Sequence, residues 1–324
     1  MKIFYVNVIE QNAGWGAEWF MDRALRGLGH ETVCLDYRAH RPRLARRFLT
    51  PPGCDVFLLQ RGEYFPLPLI RSVQAPRLFW ASELVSRCRD QDRLIRSGLF
   101  DHVFFRTPQC IDAVVARGWI ARERCSILLS GFDPEVFRPI PNAPKDVDVL
   151  FIGHLTPRRQ AVLDQLYGRE VNVTVVPAFG EEMAQWLNRA KIVLNIHAEE
   201  YADTETRVYE VLGCGAFLLS ERLSAENPFG DGDLVQVASP DQFPDRIAYF
   251  LSHSEERAHI AEQGHRAALG GHTYRHRARE IVGVMSDLIA QRSASAARPS
   301  ARPFGLYAYA AWESLRRLVR LGAR

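Results

Sequence analysis

Between Arg138 and Lys145 three of eight residues are proline, and on both sides of this break the chain alternates short apolar runs, glycine-bearing loops and helical stretches. Proline removes a backbone donor and favours extended chain, so the break reads as a domain linker. Ahead of it, Lys2 to Val8 is β-branched and aromatic, a loop with glycines spans Gln11 to Gly16, a helical pattern runs through Leu28, and Glu31 to Leu35 is again strand-like. Strand, loop, helix, strand is the opening of a parallel α/β sheet. The runs Val56 to Gln60, Arg77 to Ala81 and His102 to Arg106 have the look of strands buried on both faces. After the break the pattern restarts with a strand at Val147 to Ile152, a turn at Gly153 to Pro157 and a helix to about Tyr167. Strands at Val171 to Val176, Lys191 to Ile196 and Ala216 to Ser220 follow, with helices at Glu181 to Ala190 and Thr206 to Leu212, and Pro240 to Ile289 has helical periodicity. A chain of 324 residues exceeds one ordinary hydrophobic core and is expected to form two domains of about 150 residues. The expected division is residues 1–138, a linker at 139–146, a second domain at 147–290 and a tail at 291–324.

The tail has two parts. Gln291 to Pro303 is rich in Ser, Ala, Arg and Pro, as flexible linkers are. Phe304 to Leu321 fits a helix with Phe304, Ala308, Ala311, Trp312, Leu315 and Val319 on one side and Arg316, Arg317 and Arg320 on or beside the other. Such a stripe suits a membrane surface, and a docked terminal helix explains it equally. No run reaches the roughly 20 apolar residues of a membrane span, and the N-terminus does not read as a signal peptide, so the expected location is the cytoplasm, with the inner membrane face open to the tail. A net charge of +3 provides no whole-molecule field for nucleic acid. The six cysteines are scattered without the paired spacing of a zinc or redox motif, as isolated reduced thiols are.

The densest chemical signal is Leu194-Asn195-Ile196-His197 followed by Glu205-Thr206-Arg207-Val208-Tyr209-Glu210-Val211-Leu212-Gly213-Cys214-Gly215. A strand ends in a polar loop and a helix begins near Thr206. The free N–H groups and dipole of that helix end suit a diphosphate, and Arg207 can add charge-assisted hydrogen bonds. Glu210, one turn in, can accept two hydrogen bonds from a ribose diol. The same residues also fit a plain surface helix with an i, i+3 Arg–Glu pair.

This segment resembles the donor-site signature of the group-one glycosyltransferases, and most of all the branch of spore-maturation CgeB-like proteins. Phe151-Ile152-Gly153-His154, Gly131-Phe132-Asp133 with Phe137-Arg138-Pro139, and His272-Thr273-Tyr274-Arg275-His276-Arg277-Ala278 agree with it in order and spacing. The resemblance covers about Ser130 to Glu280. It implies the GT-B fold: α/β, two Rossmann-like domains facing each other across a cleft, here with a C-terminal helical tail. It further implies that Glu210 binds the nucleotide ribose, that amides around Thr206 and Arg207 bind the diphosphate, and that the loop from Gly153 and His154 to Arg159 closes on the phosphates with Arg158 or Arg159 supplying charge. His197 would face the cleft from the strand end. Solvated helix-start arginines and a structural histidine are the plain alternatives. One position departs from the pattern: many group-one enzymes carry a sugar-contacting glutamate eight residues before the ribose-binding one, and that position is Ala202.

In the first half, Gly14 and Gly16 follow the first strand, as a glycine loop does in such enzymes. With Asp36 about 20 residues on, they also imitate a dinucleotide fingerprint, but Trp19 replaces its third glycine and would obstruct helix–strand packing. Glu83 follows a strand and is placed to activate an acceptor as a general base; Arg61-Gly62-Glu63 holds a similar position. The pairs Asp146/Asp148 and Asp231/Asp233 look like Asp-x-Asp metal motifs but lack further ligands nearby, so no metal is expected and the helix end and arginines are expected to meet the departing diphosphate. The whole reads as a glycosyltransferase without a resident cofactor. Its co-substrate is a nucleotide-diphosphate sugar bound by the second domain, and its acceptor is a glycan, a lipid-linked or a small molecule. A GT-B-shaped nucleotide- or glycan-binding protein without turnover, and an NAD-binding Rossmann enzyme, are the other classes.

Overall fold

The computed structural model describes residues 1–294 and 304–322 and forms two compact units, Met1–Leu129 with Arg277–Arg324, and Ser130–His276. The linker residues 295–303 and the side chains of Phe304, Arg317, Val319 and Arg320 lie outside the described residues.

The first unit alternates strands and helices: β1 (Lys2–Asn7), α1 (Ala17–Gly27), β2 (Glu31–Asp36), α2 (Leu44–Leu49), β3 (Val56–Gln60), α3 (Leu67–Ser72), β4 (Arg77–Trp80), α4 (Arg89–Arg96), β5 (His102–Phe105), α5 (Pro108–Ala116) and β6 (Cys125–Ile127). All six strands are parallel, in the order β2-β1-β3-β4-β5-β6. The central strands are apolar without alternation because helices cover both faces; every residue of β3, β4 and β5 is buried.

The second unit holds β7 (Val147–Ile152), α6 (Pro157–Tyr167), β8 (Thr174–Val176), α7 (Gly180–Arg189), β9 (Ala190–Asn195), α8 (Thr206–Gly213), β10 (Leu218–Glu221), β11 (Val235–Val237), α9 (Phe243–Ser252) and α10 (Ser254–Gly271). Its parallel sheet runs β11-β10-β9-β7-β8, the strand order of the first sheet without its sixth strand. In both, the order reverses between the unit's first and third strands, and ligands of open α/β sheets bind outside the carboxyl ends of strands at that switch point. At the end of α8 the chain passes over a ring: a Cβ on Gly213 would lie 2.4 Å from a ring carbon of the fully buried Phe132, so only glycine lets the helix close on it.

The division falls after Leu129, ahead of the proline-rich segment. Residues Arg138 to Asp146 are fastened to the second unit instead of standing between two: Asn188 accepts from Ile140 N at 2.7 Å and donates to Arg138 O at 3.0 Å, Lys145 donates to Ala190 O at 3.0 Å, and Asp146 pairs with Arg189 at 2.7 Å. Proline density marks extended chain, and side chains of α7 hold that chain in place.

The chain then returns. Helix α11 (Tyr274–Ala294) begins in the second unit and continues in the first, and α12 (Phe304–Gly322) packs on α2 and α3. Leu306 is fully buried in the first unit's core, worth about 1.5–3 kcal/mol for a side chain of this kind. Tyr309 and Ala310 pack beside it, and Glu313 accepts from Ala45 N at 3.2 Å. The tail helix is thus docked, through a face other than the stripe of Ala308, Ala311, Trp312 and Leu315, which stays exposed. Among the described residues no helix is long and apolar enough to cross a membrane.

One pH response is built into the first sheet. His102 is buried on β5, 2.9 Å from Ser126 Oγ, and burial, aided by the Arg124 charge, lowers its pKa from 6.5 to about 4. The folded chain therefore stays neutral here while the unfolded chain takes up a proton, so stability is lost as pH falls from 6.5 towards 4. Urea unfolding should show a loss of about 1 kcal/mol between pH 6.5 and 5.5, near the single-proton limit of about 1.4 kcal/mol per pH unit. His102→Asn should flatten that slope, and an unchanged slope would rule His102 out as its source.

Candidate functional site

The second unit gathers its polar side chains at the switch point between β7 and β9. Gly153 and His154 leave β7, Thr156 caps α6 by accepting from Arg159 N, and its hydroxyl donates to Ala198 O at 3.0 Å. His197 leaves β9, and α8 starts at Thr206, whose hydroxyl reaches Ser130 Oγ at 3.3 Å. Gly153, His154, Arg158, Arg159, His197 and Thr206 thus belong to one strand-end cluster of this unit, and Arg207 and Glu210 follow in α8, paired with each other, with Arg207 against Met183 of α7. Gly14, Gly16 and Glu83 belong to the first unit.

The two arginines of α6 are both engaged. Arg158 donates to His197 O at 2.8 Å and to both oxygens of Glu221, one at 2.9 Å. Arg159 is buried; its Nε donates to Ile196 O at 2.8 Å, Nη1 to His154 O at 3.1 Å, and Nη2 to both Glu205 oxygens at 3.0 and 3.1 Å. Arg159 therefore ties the ends of β7 and β9 to the residue that opens α8, and its charge is spent on Glu205. Glu221 is a partner the sequence reading missed. A carboxylate ending the apolar run Leu218-Leu219-Ser220-Glu221 signals a cation elsewhere, but not which one.

Among the described residues two groups are left short of partners and a third is desolvated. The Nε2 of buried His197 lies 2.9 Å from Arg222 O and donates to it, and Nδ1 is buried without a hydrogen bond among the described residues. Among the described residues Arg207 Nε is buried without a hydrogen bond, it forms an i, i+3 ion pair with a Glu210 oxygen at 3.5 Å, and Nη1 meets the Met183 sulfur. Glu210 is buried, and desolvation raises its pKa against the opposing pull of Arg207. Buried polar groups are normally satisfied, so the unpaired His197 Nδ1 and Arg207 Nε call for an explanation.

The acid pairs read as possible metal motifs serve other contacts. Asp146 pairs with Arg189, Asp148 pairs with Lys191, and Asp233 accepts from Gly230 N at 2.8 Å. Among the described residues no group of three or more His, Cys, Asp or Glu is placed to hold a metal ion.

In the first unit the loops after β1 and β3 meet at the other switch point. Gly14 sits at φ +82°, and a Cβ on Gly16 would strike Asn12 at 2.3 Å, so the loop closes tightly on itself. Asn12 donates to the buried Glu18 at 2.9 Å, and Glu18 pairs with Arg61. Arg61, Gly62 and Tyr64 all have φ between +60° and +79°; for the two non-glycine residues that costs of order 1–3 kcal/mol each, strain typical of functional loops. Glu63 accepts from Tyr37 at 2.5 Å and Arg38 at 3.0 Å, and Glu83 adds to the negative field that, with Glu18 and Glu63, raises the Arg61 pKa. The dinucleotide reading fails on Asp36. Its carboxylate accepts from the backbone N–H groups of Glu10, Arg38 and Ala39, each at 2.9 Å, and organises loops where that reading needs it on a ribose.

Two parallel-sheet Rossmann-like domains of matching strand order, with a helical C-terminal region, make this a GT-B fold. Residues 142–283, which carry all the second-unit candidates, match the protein family described as glycosyl transferase-like. Solved structures of similar fold include sucrose-phosphate synthase from Thermosynechococcus elongatus, with a TM-score of 0.65 at 12% identity over 90% of this chain and 100% of that one. A glycosyltransferase from Rickettsia africae gives 0.66 at 10% identity over 89% and 98%. Anabaena HepE in complex with UDP-glucose gives 0.62 at 13% identity over 89% and 100%. No curated protein matches the chain by sequence.

Proposed function

We propose that the protein transfers a sugar from a nucleoside-diphosphate sugar, with the donor bound at the start of α8. The observation that carries this is the pair Arg207 and Glu210, 3.5 Å apart at a helix start, with Arg207 Nε buried and short of a hydrogen bond among the described residues and the Glu210 carboxylate desolvated, inside the segment that matches the glycosyl transferase-like family. Glu210 accepts the ribose diol. Amides around Thr206, with Arg207, hold the diphosphate, and the Gly153 to His154 turn lies beside them as a backbone wall. His197 Nδ1 accepts a hydrogen bond from the donor. As the glycosidic bond breaks, its electron pair goes to the diphosphate oxygen, and Arg207 meets the charge that grows there without a metal ion. The acceptor hydroxyl bonds to the anomeric carbon and gives up its proton to a general base. The motif order that resembles the CgeB-like branch supports the same donor chemistry. Because Arg158 and Arg159 are bound to Glu221 and Glu205, they act on this reading by fixing loops, and Arg207 is the cation of the reaction.

HepE was solved with UDP and with UDP-glucose, which makes UDP the first probe. Titration calorimetry should show UDP binding, and a panel of UDP-sugars should give UDP release with at least one. Arg207→Gln should lower turnover at least tenfold while moving the Michaelis constant less, since the charge it meets is largest in the transition state. A change confined to the Michaelis constant would remove Arg207 from that role. A second reading, a binding protein without turnover, draws on Ala202 and on the neutralised α6 arginines; UDP binding with no release from any sugar would favour it.

A further inference from the structure

The first unit contains a cavity of about 1380 Å³ that the donor chemistry does not use, walled on one side by α12. That exceeds the roughly 300–1,000 Å³ of ordinary small-molecule pockets. Leu67 and Pro68 supply apolar lining from the body, with the buried Leu44 and Phe65 behind them, and Tyr309 and Trp312 supply it from α12. Trp312 is 47% exposed although it lines a cavity, so a large aromatic surface awaits cover.

Charge is distributed unevenly over the same lining. Its three carboxylates are occupied: Glu63 by Tyr37 and Arg38, Asp90 by Tyr64 N and Arg93, and Glu313 by Ala45 N. Arg41, Arg43, Arg71 and Arg316 also line it, all exposed, and among the described residues none of them has a carboxylate within ion-pair distance. Arg41 and Arg316 lie instead against the rings of Tyr64 and Trp312, at 5.6 and 4.7 Å. Guanidinium groups stacked on rings keep their in-plane N–H groups free for bidentate bonds to phosphate.

An apolar chamber beside four unneutralised arginines matches one ligand chemistry on both counts. We propose that this cavity binds a phosphate-bearing aliphatic lipid, with the chain against Leu67, Pro68, Tyr309 and Trp312 and the phosphate among Arg41, Arg43, Arg71 and Arg316. Neither half suffices alone: free phosphate leaves the apolar wall wet, and an uncharged chain leaves the arginines unpaired.

The test uses the full chain and titration calorimetry with farnesyl phosphate, farnesol and inorganic phosphate. Farnesyl phosphate should bind at least tenfold more tightly than either of the others. The double variant Arg41→Glu with Arg71→Glu should lose at least tenfold, whereas Arg266→Glu, an exposed charge change in the second unit, should change nothing. Equal binding of inorganic phosphate, equal binding of farnesol, or full affinity in the double variant would each overturn the proposal. Phosphatidylglycerol vesicles that farnesyl phosphate displaces would show the lipid being drawn from a bilayer; vesicle binding without any farnesyl phosphate binding would overturn the cavity in favour of surface docking. UDP titrated into the same samples separates the two assignments, because loss of UDP binding alone sinks the donor site and leaves the lipid site standing.

Discussion

Replacing Arg159 with methionine is expected to destabilise the second unit by about 3 kcal/mol, as a partly buried ion pair and two strand-end hydrogen bonds lose their donor. Arg159 satisfies the carbonyls of Ile196 and His154 and both oxygens of Glu205. Methionine fills much of the same space but donates nothing, so two carbonyls and a carboxylate lose their partner. Urea unfolding followed by tryptophan fluorescence measures the loss. Arg159→Lys should recover part of it, since a single ammonium cannot serve two strand ends and a carboxylate together. If stability held while UDP affinity collapsed, Arg159 would be a ligand contact and the clamp would be refuted.

Glu210 should respond in the opposite sense, with affinity and stability moving apart. Glu210→Ala is expected to weaken UDP binding by about 1.5–3 kcal/mol, the range for hydrogen bonds to a charged acceptor. The isosteric Glu210→Gln should raise the unfolding midpoint at pH 7 to 8 in the absence of ligand. Burial places the folded pKa above the ordinary 4.5, so the native state holds the proton more tightly than the unfolded chain. The matching stability is complete below pH 4.5 and is lost as pH climbs through the raised value. Glutamine never ionises and escapes that loss. Thermal melts of both proteins from pH 4 to 8 should converge at the acid end and diverge above it. Parallel curves would mean that the carboxylate is already paid for by partners in the free protein.

The strands that fix the two sheets were legible because a buried parallel strand has no polar alternation, as in Val56 to Gln60 and Val147 to Ile152. Cys125–Ile127 and Val235–Val237 were not, since three residues carry no period. The start of α8 was legible from a polar loop meeting an Arg–Glu pair. What that reading could not supply was pairing. Arg158 and Glu221 are 63 residues apart, and Arg159 and Glu205 are 46 apart, so spacing alone cannot distinguish a free phosphate ligand from a cation already taken. The fate of the tail was hidden for a related reason. Leu306, Tyr309 and Ala310 form the docked face, but the wider stripe through Trp312 and Leu315 dominates the helical pattern.

The first unit is discontinuous, and that sets an order of events during synthesis. Met1–Leu129 leaves the ribosome before Ser130–His276, and Leu306 of its core emerges only after the whole of that segment. At about 5–20 residues per second, the 177 residues from 130 to 306 take roughly 10–35 s to make. Through that interval the second unit can fold to completion while the nascent first unit waits with its α12 seat uncovered, exposed to any chaperone that reads apolar surface.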